Sequence, residues 1–336
     1  MNSNFYLLAK GLISSLEKEN LALGLANGKM GLCIYLYQDK SENTREYQRI
    51  AEKLLDEIYD GIDTVNTIDI ESGLSGIALG INYLIKNNYI EGDINSILKD
   101  IDDQIFKQIS FGKSNEDITL LIQILYYISV RKQSLPKESN ILFNELIIQI
   151  INTLHSKIEY ILTENVIRFD IGDRLSLFLF VLSEIYRLNV YNHKIIKIVQ
   201  EITPFILSKY TYYHSKRFQL LWGISKINTC IRDNRLTGFC NLLASQIDLD
   251  TIIDEFRNKN IFLRYGISGL CLLMSTYDES EKLNFDIKDF YNKSIEKIGN
   301  SLVWKLCDNS DYINKYIGLE GYCGAKIIYN IMNQRL

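Results

Sequence analysis

A short pattern, G-x-x-G followed by one apolar and one small residue, recurs along the chain and restricts its fold more than any other feature. The copies are Gly28-Lys-Met-Gly31-Leu-Cys33, Gly73-Leu-Ser-Gly76-Ile-Ala78, Gly266-Ile-Ser-Gly269-Leu-Cys271 and Gly318-Leu-Glu-Gly321-Tyr-Cys323. Each opens an apolar run. Weaker copies start at Gly172 and Gly223, so the first glycines are spaced by 45, 99, 51, 43 and 52 residues. The interval of 99 spans two periods, and the repeat inside it has lost its glycines but keeps an apolar run from Ile118 to Val130. Self-similarity at a period of this size marks a repeat architecture. Seven copies result, each long enough for a pair of helices.

Ahead of each glycine segment lies an amphipathic stretch with apolar residues three and four apart. These stretches predict outer helices at 5–19, 45–61, 94–109, 139–163, 193–212, 235–256 and 287–306. They are rich in Lys, Glu and Asp, as a half-solvated layer should be, whereas the runs after the glycines are far more apolar. Inner helices that converge are most crowded where they begin, and glycine lets their backbones approach there. Pro136 and Pro204 are the only prolines, which leaves room for uninterrupted helices. No linker or low-complexity stretch divides the chain. The reading is one domain over 1–336, all-α, an α/α toroid of seven inner and seven outer helices. An open helical solenoid is the alternative, and the regular alternation of polar and apolar helices favours closure.

Composition excludes several classes of function. A net charge of −4 and a pI near 5.6 give no basic footprint for nucleic acid. The 22 tyrosines accompany no RNA-binding motif, so they predict packing at polar–apolar boundaries. No run of about 18 uncharged apolar residues suggests a membrane span. The residues from Met1 lack the features of a signal peptide. Six cysteines in such a chain are expected to be reduced thiols in the cytoplasm, and they form no CxxC or zinc-finger spacing.

The glycine repeats, their spacing and their number resemble the LanC-like family of lanthionine cyclases over the whole chain. The resemblance implies the toroid and a role in modifying ribosomal peptides of the lanthipeptide type. Family members add a cysteine thiol of a leader-bearing peptide across a dehydrated residue. Their zinc, held by two cysteines and a histidine, activates that thiol, because the thiolate is the nucleophile and a metal lowers its pKa. The family's D-[IV]-x-x-G-L-S-G pattern is matched by Asp69-Ile70-Glu71-Ser72-Gly73-Leu74-Ser75-Gly76. In the fifth repeat Arg217 matches the family's arginine, but Leu221 stands where the resemblance implies a zinc cysteine. Arg264 and Tyr265 stand in the sixth repeat where it implies Cys and His, and Ile171 replaces a further histidine of the fourth. The zinc expected from the resemblance therefore lacks its ligands, and no cofactor is expected.

Asp69 and Arg217 are the candidate catalytic residues. Asn27, Glu71, Asp170, His214, Trp222, Arg264 and Tyr265 are the candidate substrate-binding residues, placed around the starts of the inner helices, where free N–H groups would favour anions and carbonyls. Cys33, Cys271 and Cys323 fall where the second repeat has Ala78, which predicts small core positions. The expected partners are a precursor peptide and a dehydratase or transporter of the same pathway. Three functions remain open: a zinc-free peptide-binding relative, an enzyme using Asp69 as base with Arg217 or Arg264, and an α/α-toroid carbohydrate enzyme using paired carboxylates.

Overall fold

The computed structural model describes residues 21–39, 44–111, 117–135, 140–164, 166–277, 283 and 286–336. The helix expected over 5–19 lies outside the described residues. Among them there is no strand. Each expected inner helix is present: α1 (Lys29–Gln38), α3 (Leu74–Lys86), α6 (Ile118–Lys132), α9 (Arg174–Arg187), α11 (His214–Ile231), α14 (Ile267–Ser275) and α17 (Tyr322–Arg335). Outer segments alternate with them: α2 (Thr44–Gly61), α4 (Ile94–Ile97), α5 (Lys99–Phe111), α7 (Asn140–Ser156), α8 (Ile158–Leu162), α10 (Asn192–Ser208), α12 (Asn234–Ser245), α13 (Leu249–Asp254), α15 (Ile287–Gly299) and α16 (Ser310–Tyr316).

Burial separates the layers as the sequence pattern implies. In α1 every residue from Met30 to Tyr37 is buried, and in α11 every one from Ser215 to Ile227. Outer α2 instead buries only the stripe Tyr47, Ala51, Leu54 and Ile58, the spacing of one helix face. Each of its fully covered aliphatic side chains contributes about 1.5–3 kcal/mol.

Several outer helices are broken where an unbroken one was expected. Asp93 accepts from the backbone N–H groups of Asn95 and Ser96 and starts α4. Asp248 accepts from Thr251 and starts α13. Ser301 accepts from Val303 and starts a 3₁₀ stretch, Leu302–Asp308, so Cys307 lies there and not on an outer α-helix. Such short polar side chains offer the backbone an alternative to continuing the helix. One further placement differs. Gly223 falls in the middle of α11, not at its start.

The chain divides into two compact units. One takes the chain up to Ile105, with Phe256–Cys271 and Tyr291–Leu336; the other takes Phe106–Glu255 and Leu272–Phe290. Neither is a continuous segment, so no linker marks a boundary in the sequence.

All four strong glycine repeats begin in the first unit, and the structure shows what they do there. Three of the loops turn back over the start of their helices in a shared register: Lys29 N–H donates to Ala22 O, Leu74 N–H to Thr67 O, and Ile267 N–H to Asn260 O; in the fourth, Cys323 N–H donates to Ile317 O. The loops are also joined to one another. Ala26 N–H donates to Glu71 O (2.9 Å), Glu320 N–H to Ala26 O (2.8 Å), and Leu263 N–H to Glu320 O (3.0 Å). Glycine is needed for such contact. A Cβ on Gly31 would lie 2.2 Å from Leu25 O and 2.9 Å from Leu319 N, distances that no methyl group tolerates. The bonds join the loops of the second, first, seventh and sixth repeats in that order, and α17 packs on α1. A last repeat held against the first is a contact that an open solenoid does not make.

In the second unit α6, α9 and α11 lie side by side, and carboxylates replace loop carbonyls at their starts. Asp117 caps α6, Asp173 caps α9, and Glu255 accepts from the N–H groups of His214 and Ser215 at α11. A side-chain cap needs no close backbone approach, which explains why these repeats have weak glycine patterns or none. Gly223 serves a different purpose: its Cβ would sit 2.8 Å from Ser176 Cα on α9.

Candidate functional site

The loops joined in the first unit border a cavity of about 540 Å³. Its wall includes Asn27, Lys259, Phe262, Arg264, Tyr265, Tyr312, Lys315, Tyr316 and Glu320. Four side chains from the four joined loops form a polar cluster beside it. Arg264 donates from Nη1 to Glu71 Oε1 (3.2 Å) and to Glu320 Oε1 (3.3 Å). Asn27 donates from Nδ2 to the other Glu320 oxygen, Oε2, at 2.9 Å. The guanidinium also lies over the Tyr265 ring, 5.3 Å from its centroid. Burial pushes the Glu71 carboxyl above its usual range; neighbouring Glu320 and Asp69 add to that, and Arg264 opposes it.

Elsewhere the wall is aromatic. Phe262 stacks on Tyr316 with centroids 5.4 Å apart, and Tyr316 meets Tyr312 at 4.9 Å. Behind them Tyr322 packs edge-on to Phe262 and donates its hydroxyl to Val303 O.

Of the candidates from the sequence, Asn27, Arg264 and Tyr265 line this cavity, and Glu71 reaches it through Arg264. Asp69 is next to the cluster, but its carboxylate accepts from Ser72 N–H (2.6 Å) and Ser72 Oγ. It fastens the loop ahead of Gly73. Sequence reasoning missed Glu320, Lys259, Phe262, Tyr312, Lys315 and Tyr316. Glu320 carried a visible signal: it is the one acid between the paired glycines of the strong repeats, where the others have Met30, Ser75 and Ser268. For Tyr312 and Tyr316 no local signal existed, because α16 reaches the wall only through the fold.

The remaining candidates are in the second unit. Arg217 is buried and donates to Gln246 O and Thr211 O, tying the end of α12 to the segment before α11. His214 accepts at Nδ1 from Asp248 N–H, which leaves the proton of its neutral form on Nε2. Asp170 accepts from Gly172 N–H. Trp222 is buried, donates to Thr276 Oγ1 and stacks near Phe180 at 5.0 Å. Beside Asp170, the buried Asp173 carboxylate pairs with buried Lys216. Burial alone would raise this carboxyl, but the Lys216 charge and the hydrogen bonds from Lys216 and Ser176 outweigh it and hold it below the usual range.

One expectation is corrected. The starts of the glycine-repeat helices do not offer a ring of free N–H groups, since Lys29, Met30, Leu74, Gly76 and Ile267 already donate to loop carbonyls. Close backbone packing satisfies these donors before any ligand arrives.

The residues at the zinc-ligand positions do not fit that metal. Leu221 is a buried aliphatic. Arg264 carries only donors and a fixed positive charge, and Tyr265 is 57% exposed. Among the described residues no group of three or more His, Cys, Asp or Glu side chains is arranged to hold a metal ion. Cys33, Cys271 and Cys323 are buried, and burial pushes the Cys33 and Cys271 thiols up to about 12. No described helix is long and apolar enough to cross a membrane.

No protein-family model matches the chain, and no curated protein matches it significantly. Among solved structures it is similar to nisin cyclase, with a TM-score of 0.66 and 14% identity, over 99% of this chain and 94% of that one. At that identity the likeness shows the fold alone, an all-α chain of the α/α-toroid class.

Proposed function

We propose that this chain is a LanC-like protein of ribosomal-peptide modification that holds a leader-bearing or dehydrated peptide without a catalytic zinc. The observation that carries this reading is the Arg264 cluster. Arg264 and Tyr265, at two implied ligand positions, are part of the wall of a cavity of about 540 Å³, large enough for several peptide side chains. The guanidinium, paired with Glu71 and Glu320, stands at a position where the resemblance implies a metal ligand. The likeness to nisin cyclase supports a peptide as the class of ligand.

The catalytic alternative, with Asp69 as base and Arg217 or Arg264 as partner, is less favoured. Asp69 is engaged by Ser72, and Arg217 by two backbone carbonyls. Arg264 is likewise engaged by Glu71 and Glu320, so each of the three groups already has a partner within the protein.

Two measurements test the proposal. Elemental mass spectrometry of chelator-washed protein is expected to find far less than one zinc per chain. A fluorescent dehydrated, leader-bearing peptide is expected to bind without ring closure, its cysteines remaining open to alkylation. Ring closure by the purified protein sinks the zinc-free binding reading, and loss of that closure in Asp69→Asn would favour the catalytic one. A dehydratase or transporter as partner is part of the same proposal, tested by co-purification.

A further inference from the structure

Resting on the peptide-binding reading, we infer that the cavity of the first unit selects a peptide segment with carboxylate side chains beside an aromatic or long aliphatic one. The argument starts from charge. The chain as a whole carries a formal net charge of −4, yet the cavity wall holds Lys259, Arg264 and Lys315 against the single acid Glu320. The Arg264 charge is already shared between Glu71 and Glu320, and Glu320 is further occupied by Asn27. Lys259 and Lys315 are different. Among the described residues neither is matched to a carboxylate, so these two lysines outweigh the excess carboxylate of the Arg264 cluster and leave the described wall with a small positive excess.

The second strand of the argument is shape. Phe262, Tyr316 and Tyr312 form a continuous row of rings. Lys315 lies with its Nζ 5.4 Å from the Tyr316 centroid, so one of the two ammonium groups is held at the edge of that row. A ring or alkyl chain on the row gains contact area, and a carboxylate one or two residues away reaches an ammonium group. A basic segment would meet two like charges, and a purely apolar one would leave both lysines unused.

The test uses the full-length protein and two fluorophore-labelled decapeptides followed by anisotropy. One has a phenylalanine flanked by glutamates; its twin has glutamines instead. The glutamate peptide is expected to bind about tenfold more tightly at low salt, two partly exposed charge pairs supplying the difference. That preference should shrink in about 0.5 M salt through screening. The variant K259E/K315E is expected to lose or reverse the preference, and both side chains are exposed enough for the fold to survive, as circular dichroism would verify. Equal affinity for the twins overturns the acidic selectivity while leaving peptide binding intact. If neither decapeptide binds, the inference is overturned, and the proposed function then depends on the dehydrated-peptide titration alone.

Discussion

Asp173 and Lys216 illustrate how a buried charge becomes useful only through its partner. Both are more than nine-tenths buried, and removing one leaves the other charged without compensation, at a cost of about 3–5 kcal/mol. Lys216→Met should therefore show a large loss of stability in urea denaturation at neutral pH. The pH dependence follows from the sign of the shift. The Asp173 carboxyl is held below its ordinary range, so its contribution is complete above the unfolded value of about 3.9 and is lost as pH falls through the folded one. The stability gap between wild type and Asp173→Asn should accordingly narrow below about pH 4. Thiol chemistry gives a simpler check. Of the six cysteines only Cys230 is partly exposed, so a thiol reagent should label one site quickly in the native protein. Cys230→Ala should abolish that fast phase; fast labelling that persists would mean that one of the five buried cysteines is accessible.

The inner helices start by two different chemistries, and the difference explains why the repeat signal is uneven along the sequence. Where a loop carbonyl caps the helix, the first glycine is required because backbone meets backbone, as at Gly28, Gly73 and Gly266. Where Asp117, Asp173 or Glu255 caps it, the glycines become dispensable. Gly31→Ala places a methyl group 2.2 Å from a carbonyl oxygen and should destabilise by about 1–3 kcal/mol or more through overpacking. Gly238→Ala is the matched control: it lies in α12 with nothing within 4 Å of its Cβ, and should stabilise by about 0.5–1 kcal/mol. Equal effects of the two substitutions in denaturant titrations would refute this account of the motif.

Across the molecule, sequence order and spatial order separate. The first unit gathers three stretches of chain, and its polar cluster draws Asn27, Glu71, Arg264 and Glu320 from four repeats. The bond from Glu320 N–H to Ala26 O and the packing of α17 on α1 join the two ends of the repeat array. Deleting residues 317–336 would expose the apolar surface of α1 and free the backbone groups of its loop. Such a truncated protein should lose the cooperative unfolding transition of the full chain, as followed by circular dichroism on heating.

Periodicity was enough to establish the helix pairs, their inner and outer ranks and the crowded starts, because glycine and apolar spacing are local requirements of close helix packing. The same local logic put Asn27, Glu71, Arg264 and Tyr265 near one site, since all four stand just ahead of a glycine pair. It could not find Tyr312, Tyr316 or Lys315, whose role depends on where α16 lands. Nor could it show that Arg217 is held by the carbonyl of Gln246, because that partner is distant in sequence. Tertiary structure alone decided that Arg264 is shared between Glu71 and Glu320, because those three residues come from different repeats.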